Sequence, residues 1–137
     1  MLAEKSKAPQ EGQYSVGMNT DADAREFARD WIAAWNSHNL ESILSHYHED
    51  VVLSSPVAAR IVGDPNGTVR GKRALREYFR RGLDAYPNLH FDLLDVMRGL
   101  GSVVLVYTNQ NRTKTAEFME LDREGKVTRV VANYSVS

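Results

Sequence analysis

Apolar residues recur at helical spacing in the first part of the chain. Phe27, Trp31 and Trp35 lie four residues apart, behind a Thr20 that can cap a helix. This spacing predicts a helix over about 21–36 with one buried face.

Two further helices are predicted by the same spacing. After a polar break at 36–39, a second, short helix is expected to carry Leu40 and Tyr47 on its apolar side. A third helix has apolar residues at spacings of three and four from 75 to 86, and Pro87 stops it.

The remaining pattern is extended. Val51-Val52-Leu53 predicts a short strand, and the stretch 57–70, which contains the turn sequence GDPNG, is predicted to be a loop. Four extended segments with short links then follow, at 89–97, 102–110, 114–122 and 126–135. Short links favour antiparallel pairing, so the predicted class is α+β, with three N-terminal helices packed on an antiparallel sheet.

Composition is that of an ordinary globular domain. The 137 residues suit one domain, with 42% apolar residues, 26% charged residues and a net charge of −1. No nucleic acid or membrane partner is expected, because no basic face and no long apolar run is present. The chain has no cysteine, which excludes thiolate chemistry and favours a cytoplasmic location. Residues 1–19 are predicted to be a disordered leader to a domain at 20–137.

Alternation along the strands places one acidic residue on the inner, apolar face of the sheet. A hairpin centred near 111–112 sets Tyr107 opposite Glu117 and Leu105 opposite Met119. Burial would disfavour the charged form of Glu117 and raise its pKa. Glu117 is then either a pocket group that contacts ligand or transfers a proton, or an internal hydrogen-bond partner. A register slip of one residue would instead turn it outward.

The other face of the sheet is too apolar to be left in water. It is predicted to carry Val104, Val106, Phe118, Val127 and Val131. A homodimer that packs sheet against sheet would cover these side chains.

Two histidines of the segment 46–50 invite a metal interpretation. His46 and His48 point to different sides of an extended segment and to different faces of a helix, so joint ligation is awkward. No metal site is predicted.

Five segments of the sequence resemble the NTF2-like superfamily, in particular its SnoaL-like and ketosteroid isomerase branch. They read AAWNSHNL at 33–40, HYHEDV at 46–51, SP at 55–56, VRGKRAL at 69–75, and EFMELD at 117–122 followed by GKV at 125–127. The resemblance implies a cystatin-like cone, in which helices pack on a curved sheet around a pocket, and it implies the same homodimer. It does not fix an activity, because this fold hosts enzymes and non-catalytic binders.

Compared position by position, the resemblance argues against plain steroid isomerisation. The family's catalytic aspartate, just before the proline after the first strand, corresponds to Ser55, and its oxyanion-hole tyrosine corresponds to Trp31. Only the family's protonated acid keeps a carboxyl group, at Glu117.

The functional prediction is a pocket for a compact apolar or aromatic compound that carries a carbonyl or hydroxyl group. Cofactor-free isomerisation, cyclisation or dehydration would use Glu117 as the acid–base residue. The alternative is a non-catalytic binding or dimerisation module. The predicted ligand contacts are polar or aromatic residues of the inner face, with one methionine: Trp31, Trp35, Tyr47, Ser55, Tyr78, Tyr107, Asn109, Met119 and Tyr134. The aromatic ones are also read as core, because pockets of this fold are lined by the residues that pack it.

Overall fold

The computed structural model describes residues 19–136 of the chain as four helices and six strands. The leader predicted at 1–19 lies outside this range, except for Asn19. Within the described range, no helix has both the length and the apolar character needed to cross a membrane. The predicted α+β class is confirmed, with four helices in place of three.

The first helix, α1, spans Asp21–Ser37 and confirms the prediction from the aromatic stripe. The Thr20 hydroxyl accepts from the Asp23 amide at 3.0 Å, and the Asp23 carboxylate accepts in turn from the Thr20 amide. His38 ends the helix with a φ of 60°. Trp31 lies on the buried side and is 1% exposed.

The second helix, α2, spans only Leu40–Leu44, and the prediction that Tyr47 lies on it is wrong. Tyr47 begins the first strand, β1, Tyr47–Ser54. The His46 carbonyl already accepts from the Val127 amide at 2.8 Å, so pairing with the last strand extends the chain from this point.

The stretch predicted to be a loop contains a helix and a strand, α3 at Pro56–Val62 and β2 at Thr68–Arg70. The Ser55 hydroxyl caps α3 by accepting from the Val57 amide at 3.1 Å, and a proline occupies the first turn. The apolar run of α3 is too short for its period to be recognised among turn residues. Gly67 closes the turn, since a side chain there would collide with the Ser55 carbonyl.

The remaining elements follow the predicted order. The fourth helix, α4, spans Lys72–Ala85, and Pro87 lies just beyond it. The four extended segments are confirmed as β3 (Asp92–Arg98), β4 (Ser102–Thr108), β5 (Lys114–Leu121) and β6 (Val127–Tyr134). They form a curved, unclosed sheet in the order β2-β1-β6-β5-β4-β3. Every strand pair is antiparallel except β1 with β6, which is parallel.

The β4–β5 hairpin has the predicted faces but not the predicted register. Leu105 lies opposite Glu117, and Tyr107 lies opposite Thr115. The turn holds five residues, 109–113, because the Asn109 carboxamide accepts from two amides within the turn, at 2.9 and 3.0 Å. The slip of two residues preserves which side chains point inward.

The outer face of the sheet differs from the prediction at one residue. Val104, Val106, Phe118 and Val131 are half-buried on that face, but Val127 is fully buried. The register of β5 and β6 shifts between Glu120 and Leu121, which rotates Val127 to the inner side.

Candidate functional site

A cavity of about 460 Å³ lies between the inner face of the sheet and the helices. Its volume falls within the range of small-molecule sites in proteins. The interior wall is mostly aromatic and apolar, with Trp31, Phe79, Phe91 and Tyr107 among its residues. The acidic residue of this wall is Glu117.

Glu117 extends from the middle of β5 between apolar neighbours. Leu105 on β4 and Ala132 on β6 are its cross-strand partners, and its side chain is 7% exposed. Burial raises the pKa of Glu117 from 4.5 to about 7, although a hydrogen bond from Tyr107 partly opposes the shift. At neutral pH this carboxyl group therefore exists in both protonation states.

Tyr107 fixes the orientation of the carboxyl group. Its phenolic hydroxyl donates to Glu117 Oε1 at 2.6 Å, a length typical of a bond to a charged oxygen. Burial, followed by the nearby charge of Glu117, raises the pKa of Tyr107 well above its ordinary value, so the phenol remains a donor. Within residues 19–136, the other oxygen of Glu117 has no hydrogen-bond partner in the protein. That oxygen is the one free for a ligand.

Stacked rings hold Tyr107 in place. Phe91, just before β3, lies 4.4 Å from the Tyr107 ring between centroids, and Trp31 stacks on Phe91 at 5.9 Å. Trp31 is also 5.5 Å from Tyr107. Such offset aromatic contacts contribute about 0.5–1.5 kcal/mol each beyond burial, which makes this side of the cavity rigid.

Trp31 offers the cavity its ring and not its N–H group. Its Nε1 donates to the Tyr47 hydroxyl at 3.0 Å, behind the cavity. Tyr47 and Met119, both predicted as ligand contacts, are buried and do not line the cavity. The cause for Tyr47 is the early start of β1, which sets its ring behind Trp31. Burial raises the pKa of Tyr47 well above its ordinary value, which keeps it neutral.

The other seven predicted contacts all line the cavity, as does Glu117: Trp31, Trp35, Ser55, Tyr78, Tyr107, Asn109 and Tyr134. Three of their hydroxyl groups cluster on the side nearest α3. The Ser55 and Tyr134 oxygens lie 3.4 Å apart, and Tyr78 is part of the same wall. Burial raises the pKa of Tyr134 to about 12, with the charge of Glu117 as a second cause.

The mouth of the cavity contains residues that the sequence did not indicate. Pro56 and Arg60 on α3 and Gln110 and Asn111 of the β4–β5 turn line the cavity, and all but the half-buried Gln110 are exposed. Arg60 was missed because its segment was predicted to be a loop. The N-cap serine followed by proline at 55–56 was the signal for that helix.

The two histidines of the segment 46–50 have different surroundings. Burial lowers the pKa of His46, whose ring packs edge-on against Phe27 at 5.8 Å. His48 Nε2 is 4.0 Å from Asp122. Within the part of the chain that the structure describes, no three His, Asp or Glu residues are grouped so as to hold a metal ion.

The family model of the SnoaL-like domain matches residues 28–133, which include all six strands except the last residue of β6. The chain belongs to the SnoaL-like family. Among solved structures, a SnoaL-like protein of unknown function from Burkholderia thailandensis is 36% identical, with a TM-score of 0.82. That match covers 85% of this chain and 98% of the other. No curated protein matches the chain.

Two further solved structures share the fold at lower sequence identity. SalBIII, described as an epoxide hydrolase/cyclase-like enzyme in pyran ring formation in the polyether salinomycin, is 18% identical with a TM-score of 0.68. TerC, co-crystallised with polyporic acid, is also 18% identical, with a TM-score of 0.67. The matches cover 87% and 82% of this chain and 95% and 91% of theirs. At this identity they establish the fold alone.

Proposed function

We propose that the cavity binds a compact aromatic or unsaturated compound with a carbonyl or hydroxyl group, and that Glu117 transfers a proton on it. The observation that carries this proposal is a buried carboxyl group in the wall of an aromatic cavity, with one oxygen held by Tyr107 and the other free. The reaction class is cofactor-free acid–base chemistry: isomerisation, cyclisation or dehydration.

The pKa of Glu117, about 7, suits this role. A group whose pKa is near the working pH is available as base and acid, and a positioned group of this kind contributes about 10²–10⁴-fold in rate. In its ionised form Glu117 would take a proton from a carbon next to a carbonyl, and the protonated form would return it at another position. Tyr107 holds the carboxyl group aligned throughout.

The comparisons lend support at the level of the fold. SalBIII is described as epoxide hydrolase/cyclase-like and acts in pyran ring formation, and TerC was co-crystallised with polyporic acid. Both descriptions fit a small-molecule pocket in this SnoaL-like domain, and that of SalBIII fits the cyclisation that we include in the reaction class.

One observation favours the alternative, a pocket that only binds. The position that resembles the family's catalytic aspartate is Ser55, and its hydroxyl already caps α3. Under this alternative, Glu117 contributes a hydrogen bond to the ligand and no turnover exists.

Deuterium exchange tests the catalytic proposal without knowledge of the product. In D₂O, proton transfer by Glu117 would replace the hydrogens next to the carbonyl of 2-tetralone and related cyclic ketones, which NMR follows directly. We expect Glu117→Gln to retain binding, seen as quenching of Trp31 and Trp35 fluorescence, and to lose exchange. Glu120→Gln removes a carboxyl group from the outer face of the same strand and is the matched control. Ketones that bind but do not exchange in the unsubstituted protein would favour the binding alternative.

We also propose a homodimer through the outer face of the sheet, where Val104, Val106, Phe118 and Val131 remain half-exposed. Phe118→Arg should yield a species of half the mass in analytical ultracentrifugation. Sedimentation unchanged by this substitution would refute the interface. The cytoplasmic location remains a prediction from the lack of cysteine.

A further inference from the structure

The cavity has a cation, Arg60, at its mouth. Arg60 lies in the last turn of α3, is exposed, and lines the cavity. Arg76, Arg80 and Arg98 each pair with a carboxylate. Within residues 19–136, Arg60 has no ion pair or side-chain hydrogen bond, so its guanidinium is free for another anion.

The two charged residues that line the cavity, Glu117 and Arg60, lie at different depths. Glu117 is buried in the sheet, whereas Arg60 reaches solvent at the mouth. The positive charge of Arg60 partly opposes the burial that raises the pKa of Tyr78 and of Tyr134, so its field reaches both hydroxyl groups along the wall. When Glu117 is protonated, the charge carried by the wall is positive.

We infer that the ligand is an anion: an aromatic or unsaturated carboxylic acid whose carboxylate pairs with Arg60 while its ring enters the aromatic interior. This inference rests on the proposed function and adds the ligand's charge and orientation. A carboxylate at the inner end would lose hydration beside the Glu117 carboxyl group, and two like charges there would repel. At the mouth it keeps contact with water and gains a guanidinium that can bind it through two parallel hydrogen bonds. The carbonyl or hydroxyl group of the ligand then faces Glu117.

A pair of probes that differ in charge but hardly in shape tests the inference. We would titrate 4′-hydroxybiphenyl-4-carboxylate and its neutral carboxamide at pH 6, following quenching of Trp31 and Trp35. At this pH Glu117 is largely protonated, and the probe carboxylate is ionised. Each titration is repeated with Arg60→Gln and with a matched control, Arg73→Gln, on the exposed face of α4 away from the cavity.

We expect Arg60→Gln to weaken binding of the carboxylate about 2- to 5-fold, the upper part of the range for an ion pair with an exposed side chain. Binding of the carboxamide should change less than about twofold, because the contact is with charge and not with shape. Arg73→Gln should change the affinity for neither probe. In the unsubstituted protein, added salt should weaken binding of the carboxylate and bring its affinity closer to that of the carboxamide.

Two results would overturn the inference in different ways. Equal losses for both probes in Arg60→Gln, or no loss for either, would refute an anion contact while leaving the pocket of the proposed function intact. No binding of either probe to the unsubstituted protein would remove the inference and the proposed pocket together.

Discussion

Replacing Glu117 by glutamine should remove a pH dependence from the stability of the fold. Below pH 4.5 the folded and unfolded chains both hold the proton, so burial of this side chain carries no charge penalty. As the pH rises toward 7, the unfolded chain releases the proton and the folded chain keeps it. The free energy of unfolding therefore falls over this interval. A rise in pKa from 4.5 to about 7 corresponds to about 3 kcal/mol, which is fully lost above the folded pKa.

Urea unfolding at pH 4.5, 6, 7 and 8 measures this effect as a difference. Subtracting the free energy of unfolding of the unsubstituted protein from that of Glu117→Gln cancels the pH dependence of all other groups. This difference in the free energy of unfolding should increase by about 3 kcal/mol between pH 4.5 and pH 8, so that the glutamine variant becomes the relatively more stable protein at high pH. Glu120→Gln controls for loss of a carboxyl group from the same strand. A flat difference, or one that favours the carboxyl group at high pH, would refute the buried, raised-pKa description.

Two further predictions concern the partners of the site. Tyr107→Phe removes a donor that favours the charged form of Glu117, so a ¹³C NMR titration should show the carboxyl pKa move above about 7; an unchanged or lower value would contradict the 2.6 Å bond. Ser55→Ala removes the cap of α3 and should lower the free energy of unfolding by about 1 kcal/mol, measured by urea unfolding, whereas Ser55→Asp keeps an acceptor and should recover most of it. Equal stability of the alanine and aspartate variants would show that the cap contributes little.

The sequence allowed the helices and strands with strong local periods to be predicted. The stripe of Trp31 and Trp35 defines α1 because its spacing and its cap act within a few residues. The short helix α3 was not predicted, because its two turns lie among glycine and proline residues and are too few to show a helical period of apolar residues. Tyr47 was misplaced because its conformation is set by pairing with Val127, eighty residues away in the chain.

The site was predictable in part for the same reason. Alternation along β5 points Glu117 inward for the predicted register and for any register that differs from it by an even number of residues. The observed register differs by two, so the predicted face is correct. That Tyr107 contacts Glu117 from a diagonal position, and not directly across the strands, depends on the length of the turn. The presence of Arg60 at the mouth depends on α3 and on how the helices fold back over the sheet. Neither is encoded in a local pattern.

Packing alone does not explain the acidic residue in this cavity. Leu105 and Ala132 beside Glu117 are apolar, so an apolar residue at that position would avoid the loss of hydration that raises the carboxyl pKa. The cavity likewise leaves ring surfaces without the dense packing of a core. Departures from the rules of a stable core tend to coincide with functional sites, where stability is given up for activity. In that case the free energy of unfolding of Glu117→Gln, relative to that of the unsubstituted protein, should be higher at pH 8 than at pH 4.5. The same variant should also lose deuterium exchange. If the carboxyl group were only structural, the substitution would change the free energy of unfolding, but the unsubstituted protein would show no deuterium exchange. The two measurements on one variant therefore separate the explanations.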